Sequence, residues 1–453
     1  MPTKVMVDIE PQSAIALIEA DVTPLCVVAG QSGPPVMLKR WLPILVKFAS
    51  IQAVVQVLGF AAGILIVRTL PKRDYALYTI GNTMLATILL LADSGISSAL
   101  IAIGGRVWQD NRRLGSLLNT ALQLRRHLAA LTMLIVVPVL IWLLRQNGAK
   151  ALTTVVLVLA VLVGSGLELI TRIYAVALRL RSEIRQIQNQ ALLAALVKLA
   201  VIGIAVFVFL NATIAIFAVV AGYTVQFWML RRWASQEIDT DAPGDPAMRS
   251  EIIAVIRKLG PHTIYYCLQG QISIWLISIF GNAESVANVG ALARLAMVFS
   301  VLVSVTVEVV FPAFARIRST SQLRLRYFQI VLGYFAFSLP LVGVVAVFPR
   351  QVLSVLGSQY SNLQSDGLLM TASAVVGTMA GLLWGINCAR AWVVPPQVLI
   401  PCTIILQAVL VSVLNLSMVR GVLLFSMYSA VPSIVLSVSF AVKQMWGSHP
   451  ISA

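Results

Sequence analysis

Residues 151–178 read ALTTVVLVLAVLVGSGLELITRIYAVAL. The first seventeen carry no charge, and Glu168 and Arg172 are the only charged side chains in the stretch. About 20 apolar residues in a helix cross the ~30 Å hydrocarbon layer of a bilayer, so this run is long enough to span one. Runs of the same kind occur at 42–67, 76–103, 128–145, 191–210, 212–230, 261–280, 286–314, 328–349, 367–388, 397–417 and 422–441. The composition agrees with them. Of 453 residues, 59% are hydrophobic and only 11% are charged, where a water-soluble domain carries roughly 25% charged residues. An all-α polytopic membrane protein with about twelve transmembrane helices follows.

Charge is spread unevenly around these runs. The net charge is +16, but neither a soluble basic face nor an aromatic RNA-binding motif is present, so nucleic acid is not an expected partner. Counted from a cytoplasmic N-terminus, the loops after spans 2, 4, 6, 8 and 10 hold nineteen Arg and Lys. The opposite loops hold seven: Arg68, Lys72, Arg73, Arg145, Lys150, Arg350 and Arg420. Lys and Arg are retained on the cytoplasmic side of a membrane, so both termini are expected there. Residues 1–37 mix Asp8, Glu10, Glu19 and Asp21 with Pro, Ser and Gly. They are expected to form a flexible cytoplasmic tail or an over-extended start before Met37. Residues 446–453 form a short C-terminal tail.

Catalysis is poorly supported. Cys26, Cys267, Cys388 and Cys402 show no paired spacing, and His127, His262 and His449 form no His/Cys cluster, so neither a disulfide set nor a metal site is expected. No phosphate loop for ATP hydrolysis and no nucleophile elbow occurs. A membrane-embedded glycan polymerase or ligase would need a sizeable extramembrane loop, and the longest here, 231–260, has about thirty residues.

The two halves resemble one another. Sliding the chain by 211 residues puts Lys47 on Lys258, Gly59 on Gly270 and Ala76 on Ala287. Spans 1 and 2 then overlay spans 7 and 8 in the same direction, and both pairs end in a basic loop, at Arg106 and Arg316. A parallel duplication predicts two six-helix lobes, 38–232 and 261–445, joined by a cytoplasmic linker over 233–260. Transporters of this design hold substrate between lobes that rock in alternating access.

Three stretches carry a family resemblance. Gly63-Ile-Leu-Ile-Val-Arg68-Thr-Leu-Pro71, Tyr75-Ala-Leu-Tyr78 and Asp93-Ser-Gly95 resemble the first two spans of polysaccharide flippases. Ala291-Leu-Ala-Arg294-Leu and Phe311-Pro312-Ala-Phe-Ala-Arg316 resemble that family's eighth helix and its exit. Ala76 replaces a frequent Gly, and Gln269-Gly-Gln271-Ile-Ser273 stands where many members carry an acidic-basic pair. The resemblance implies the polysaccharide/O-antigen flippase branch of the multidrug/oligosaccharidyl-lipid/polysaccharide exporter superfamily. It implies a bacterial inner membrane, a polyprenyl-diphosphate-linked glycan moved to the periplasmic leaflet, and no cofactor. Its implied partners are the bilayer and other polysaccharide assembly proteins. The alternative within the same superfamily is a cation-coupled multidrug or metabolite antiporter.

Ionisable groups inside spans are costly and therefore functional candidates. Arg294, Lys198 and Arg172 are the candidate substrate-binding cations. Lys198 could instead snorkel to the interface. Arg172 follows Glu168 by four residues, the favourable order for an intrahelical pair. Asp93, Glu168, Glu308 and Arg68 are the candidates for gating or ion coupling. Glu308 lies fourteen residues after Arg294 on the same helix face. Asp93 would repel a diphosphate, so it is read as a partner for Arg or Lys or as the cap of a kink at Gly95, with proton coupling as the alternative. Gln52 and Gln56 share a face of span 1 with Gly59 and Gly63. Tyr266 and Gln269 share a face of span 7 with His262 and Ser273, and Gln271 lies nearby. These polar faces suit either a wet cavity or hydrogen bonds between helices.

Overall fold

The computed structural model describes residues 34–446, except 182, 240, 241, 391, 393 and most positions between 300 and 319; side chains are described from 51 onward, without 52, 184, 237, 258–263, 266, 267 and 320. The described residues are helical nearly throughout. The N-terminal half contains α1 (Pro34–Thr69), α2 (Lys72–Asp93), α3 (Ile96–Val107), α4 (Asn111–Gln146), α5 (Ala151–Leu180), α6 (Ile184–Val208) and α7 (Ala212–Glu237). The C-terminal half contains α8 (Pro246–Phe280), α9 (Ala283–Ala296), α10 (Thr320–Val347), α11 (Pro349–Ser354), α12 (Gln364–Cys388), α13 (Pro396–Val413), α14 (Val419–Ser429) and α15 (Val431–Trp446). Among the described residues, nine helices are long and apolar enough to cross a membrane. Ala53–Thr69 and Leu268–Phe280, in α1 and α8, are further shorter apolar stretches. The protein is an all-helical, multi-pass membrane protein.

The turns follow local chemistry. In α4, α7, α8 and α9 the residue before the helix is Asp110, Asn211, Asp245 or Asn282, and its carboxylate or amide oxygen accepts a backbone N–H of the first turn. Such caps satisfy donors that have no intrahelical partner. Span 2 breaks at Ser94 (φ 39°) and Gly95 (φ 94°). Two successive left-handed residues end α2 and redirect α3, and glycine adopts that conformation without steric cost.

The duplication is visible in the helix bounds. Thr69 and Phe280, which end α1 and α8, are 211 residues apart, as are Lys72 and Ala283, which start α2 and α9. Gly59 and Gly270 correspond under this shift, and both face open space.

Two helices are longer than their apolar runs. Helix α4 begins at Asn111 rather than 128, because Leu114, Leu117, Ala121 and Leu124 bury a stripe beneath its polar face. Helix α7 ends at Glu237 and helix α8 begins at Pro246. Ile252 is buried, with Met248 and Ile256 packed beside it, a four-residue spacing that makes one helix face. Arg249, Glu251, Arg257 and Lys258 around it hid this stripe. The connection is also tied to the N-terminal half, since Ser116 and Asn119 donate to the carbonyls of Pro243 and Ala242 at 2.6 and 2.7 Å.

The cores define the overall arrangement. At one end, a single core joins Ile66, Tyr75, Ile88 and Leu157 of the first half to Ile277, Leu292, Leu356 and Phe425 of the second. At the other end there are two. Ile96, Leu117, Ile173 and Ile252 form one, and Phe299, Phe314, Tyr334 and Leu383 form the other. The halves thus share one core at one end, termed the sealed end, and have separate cores at the other, termed the parted end, with Met248, Ile252 and Ile256 of α8 packing into the core of the first half.

Candidate functional site

Arg294 lies at the boundary between sealed and parted regions. Val286 to Leu292 of α9 belong to the shared core and Leu295 packs against it, while Phe299, three residues past the helix, belongs to the C-lobe core. Arg294 Nε donates to the Tyr75 hydroxyl at 3.4 Å, and the guanidinium also hydrogen-bonds Tyr78. Tyr75 and Tyr78 are 0% and 1% exposed. They sit one helical turn apart on α2, so both point at the same neighbour. The guanidinium rests on Gly63 of α1, where a Cβ would lie 3.1 Å from Nη1. Gly290 brings α9 onto α2 close by, where a Cβ would lie 2.8 Å from Thr79 Oγ1. Lys198 of α6 acts electrostatically on the Tyr78 hydroxyl from the N-lobe side. Arg294 and Lys198 are both half-buried. An arginine at a helix centre costs about 3 kcal/mol on insertion scales, and the tyrosine hydroxyls offset part of that.

A second set of charges crosses the N-lobe interior. Asp93 pairs with Arg125, which is 2% exposed. Arg125 also donates to Ser97 Oγ at 3.1 Å and to the Leu169 carbonyl at 2.9 Å. Glu168 Oε1 accepts from Arg172 Nε at 3.0 Å, but its Oε2 is buried with no hydrogen-bond partner. Tyr223 of α7 is within electrostatic reach of Tyr78, Glu168 and Arg172. Sequence reading missed Arg125, which it counted among loop charges. It also used Tyr75 and Tyr78 only as a motif. Their i, i+3 spacing near a chain of span-interior charges was the available signal.

The remaining candidates are dispersed. Gln269 exchanges two amide hydrogen bonds with Gln407, at 3.1 and 2.7 Å, and Ser273 hydrogen-bonds Ser426. Both contacts join α8 to C-lobe helices. Gln271 and Gln56 are half-buried elsewhere on α8 and α1. Arg68 is exposed at the sealed end, where it donates to the Ser354 carbonyl at 3.2 Å. Gln359 donates there to the carbonyls of Val67 and Leu70, and Lys72 pairs with Glu284 at 2.7 Å. The side chains of Gln52, Tyr266 and Glu308 lie outside the described residues.

No protein-family model matches the chain, and no curated protein sequence matches it. Solved structures do. An inward-facing multidrug resistance MATE family transporter of the MOP superfamily aligns with 88% of this chain and 100% of its own, with a TM-score of 0.66 and 17% identity. The fold is that of the MATE transporters. An outward-facing multidrug resistance MATE transporter matches at TM-score 0.56 and 16% identity, over 87% of this chain and 92% of its own. A MATE in a straight conformation matches at 0.59 and 16%, over 88% and 96%.

These likenesses show the fold and correct the functional reading taken from the motifs. The polysaccharide/O-antigen flippase reading, with its lipid-linked glycan cargo, does not stand, because the structures sharing the fold are multidrug transporters. The motifs misled for a physical reason. Asp93-Ser-Gly95 makes the α2–α3 break and a buried ion pair, and Pro71 precedes the start of α2. Such residues report backbone geometry and internal pairing of the fold.

Proposed function

We propose that this chain is a cation-coupled antiporter that exports small amphiphilic molecules by alternating access. It works in a bacterial cytoplasmic membrane with both termini on the cytoplasmic side. The observation that carries the reading is the pair of lobes sharing one core at one end and keeping separate cores at the other. Two rigid lobes that part at one end at a time are what alternating access needs. The basic loops lie at the parted end, which the charge asymmetry assigns to the cytoplasm. The higher TM-score with the inward-facing transporter, 0.66 against 0.56, supports the same state.

In this reading an ion gradient supplies the work. Glu168 is the group we assign to proton coupling. It is a carboxylate within a span, with one oxygen bound to Arg172 and the other buried without a partner. Protonation removes its charge and weakens its hold on Arg172, which changes the packing of α5 against its neighbours. One pH unit supplies about 1.4 kcal/mol per proton, enough for about tenfold accumulation of substrate.

Proteoliposomes containing the full chain test the reading. A pH gradient should drive flux of an amphiphilic dye, and Glu168→Gln should abolish the driven flux while leaving the protein folded. Equal flux with and without the gradient, or full coupling in Glu168→Gln, would sink it.

A further inference from the structure

The charges inside the bundle are matched unevenly. Each described carboxylate of the N-lobe interior already has an arginine: Asp93 has Arg125 and Glu168 has Arg172. An organic cation entering the cleft would meet no free carboxylate among these groups. Arg294 and Lys198 have the opposite character. Among the described residues neither has a carboxylate partner, and Arg294 is held by phenol hydroxyls and contacts Met297 Sδ at 3.7 Å.

We propose that the apex of the cleft is an anion-binding subsite, in which Arg294 from the C-lobe and Lys198 from the N-lobe hold the carboxylate, sulfonate or phosphate group of an amphiphilic substrate. The chemistry is one-sided. Guanidinium and ammonium groups are donors only, and a phenol that accepts from a cation keeps its own O–H to donate. Every group in the cluster can thus donate to an oxyanion, while only the phenol oxygens can accept. Charge-assisted bonds of this kind are the strong ones. The two tyrosines are fully buried behind the cations, whereas Arg294 and Lys198 are half-buried. The arriving ligand therefore meets the cations, and Tyr75 and Tyr78 are positioning residues. Gly63 matters because it leaves room for the guanidinium.

The location gives the subsite a role in the cycle. Arg294 is about 17 Å along α9 from its start at the sealed end, and Lys198 is about 15 Å along α6 from the same end, at 1.5 Å per residue. Both are near the depth of the bilayer midplane, where such transporters hold substrate. They come from different lobes, so an anion bridging them ties the lobes together, and release requires the lobes to part. This inference rests on the transport reading and names the substrate class of the same cleft.

The test compares the anionic amphiphile anilinonaphthalene sulfonate with the cation ethidium on the purified full chain and in proteoliposomes. The unmodified chain should bind the sulfonate, with displacement by naphthalenesulfonate and none by tetraphenylphosphonium. Arg294→Gln and Lys198→Gln should each weaken sulfonate binding about tenfold, and Arg294→Lys should weaken it only about threefold. Tyr75→Phe and Tyr78→Phe should lower the sulfonate-to-ethidium preference by about threefold without changing ethidium binding. Sulfonate binding unchanged in both Gln variants would overturn the proposal, as would displacement by tetraphenylphosphonium on the unmodified chain. The second measurement needs no variant to fold. Gradient-driven sulfonate flux untouched by both Arg294→Gln and Lys198→Gln would overturn the anion subsite and keep the antiporter. Arg294-dependent sulfonate binding without gradient-driven flux of either probe would keep the subsite and reject the antiporter.

Discussion

The two halves open with helices whose bounds repeat at a 211-residue offset, yet their interiors are built from different chemistry. The N-lobe buries charges in pairs, Asp93 with Arg125 and Glu168 with Arg172. Apart from the contacts of Arg294, the described C-lobe interior has hydrogen bonds between neutral groups. Gln269 and Gln407 exchange amide bonds, Tyr334 bonds Thr378 and the Val375 carbonyl at 2.6 Å, and Asn387 donates to the Ser437 carbonyl at 2.8 Å. Neutral amides and hydroxyls satisfy buried polar groups without titrating, so they stiffen a lobe. Carboxylate–arginine pairs do the same while keeping a group that can take a proton. The proposed coupling through Glu168 thus falls in the half whose described interior buries carboxylates.

The largest test of that contrast is Arg125→Ala. It strands the Asp93 carboxylate in the N-lobe interior, and breaking one side of a buried pair costs about 3–5 kcal/mol. Thermal unfolding followed by helicity in detergent should show the loss. The double variant Asp93→Asn, Arg125→Gln should lose clearly less, because no charge is left stranded. Equal losses would mean that the pair acts through packing alone.

The C-lobe counterpart is milder. Gln407→Leu leaves the Gln269 amide without its partner, and hydrogen bonds between membrane helices are worth about 0.6–1.7 kcal/mol. The same unfolding measurement should find a loss in that range, with the pH dependence of transport unchanged. An altered pH profile would contradict the division of labour between lobes.

The smallest effect belongs to the sealed end. Lys72 and Glu284 are 28% and 62% exposed, so Lys72→Ala should cost about 0.2–1 kcal/mol. That loss is a change of up to about fivefold in the sealed-to-open ratio. Distances between labels placed across the 70–71 and 281–282 turns would read it. An unchanged distribution would remove the ion pair from the gate.

Much of the fold was legible because hydrocarbon imposes a length and a composition on each span. The run at 151–178 maps onto α5, and the 211-residue offset emerges in the bounds of α1, α2, α8 and α9. The misses occur where charge and burial coexist. Arg125 looks like a loop cation because Arg126 follows it, yet it is 2% exposed against Asp93, thirty-two positions earlier in the chain. The stripe at Met248, Ile252 and Ile256 was hidden by the neighbouring charges Arg249, Glu251, Arg257 and Lys258. The candidate site was legible as a set of costly residues and not as an arrangement. Glu168 and Arg172 are four apart and could be paired from spacing alone. Arg294 and Tyr75 are 219 apart and could not.

The sequence alone determined that the chain lives in a membrane, that it is helical, and that its halves repeat, because each of those follows from local composition and period. It also identified which interior charges needed an explanation. Only the tertiary structure decided which charges neutralise one another, because ion pairing depends on side-chain contacts between helices that are distant in sequence. That decision leaves Arg294 and Lys198 without carboxylate partners among the described residues, at the place where the lobes begin to part.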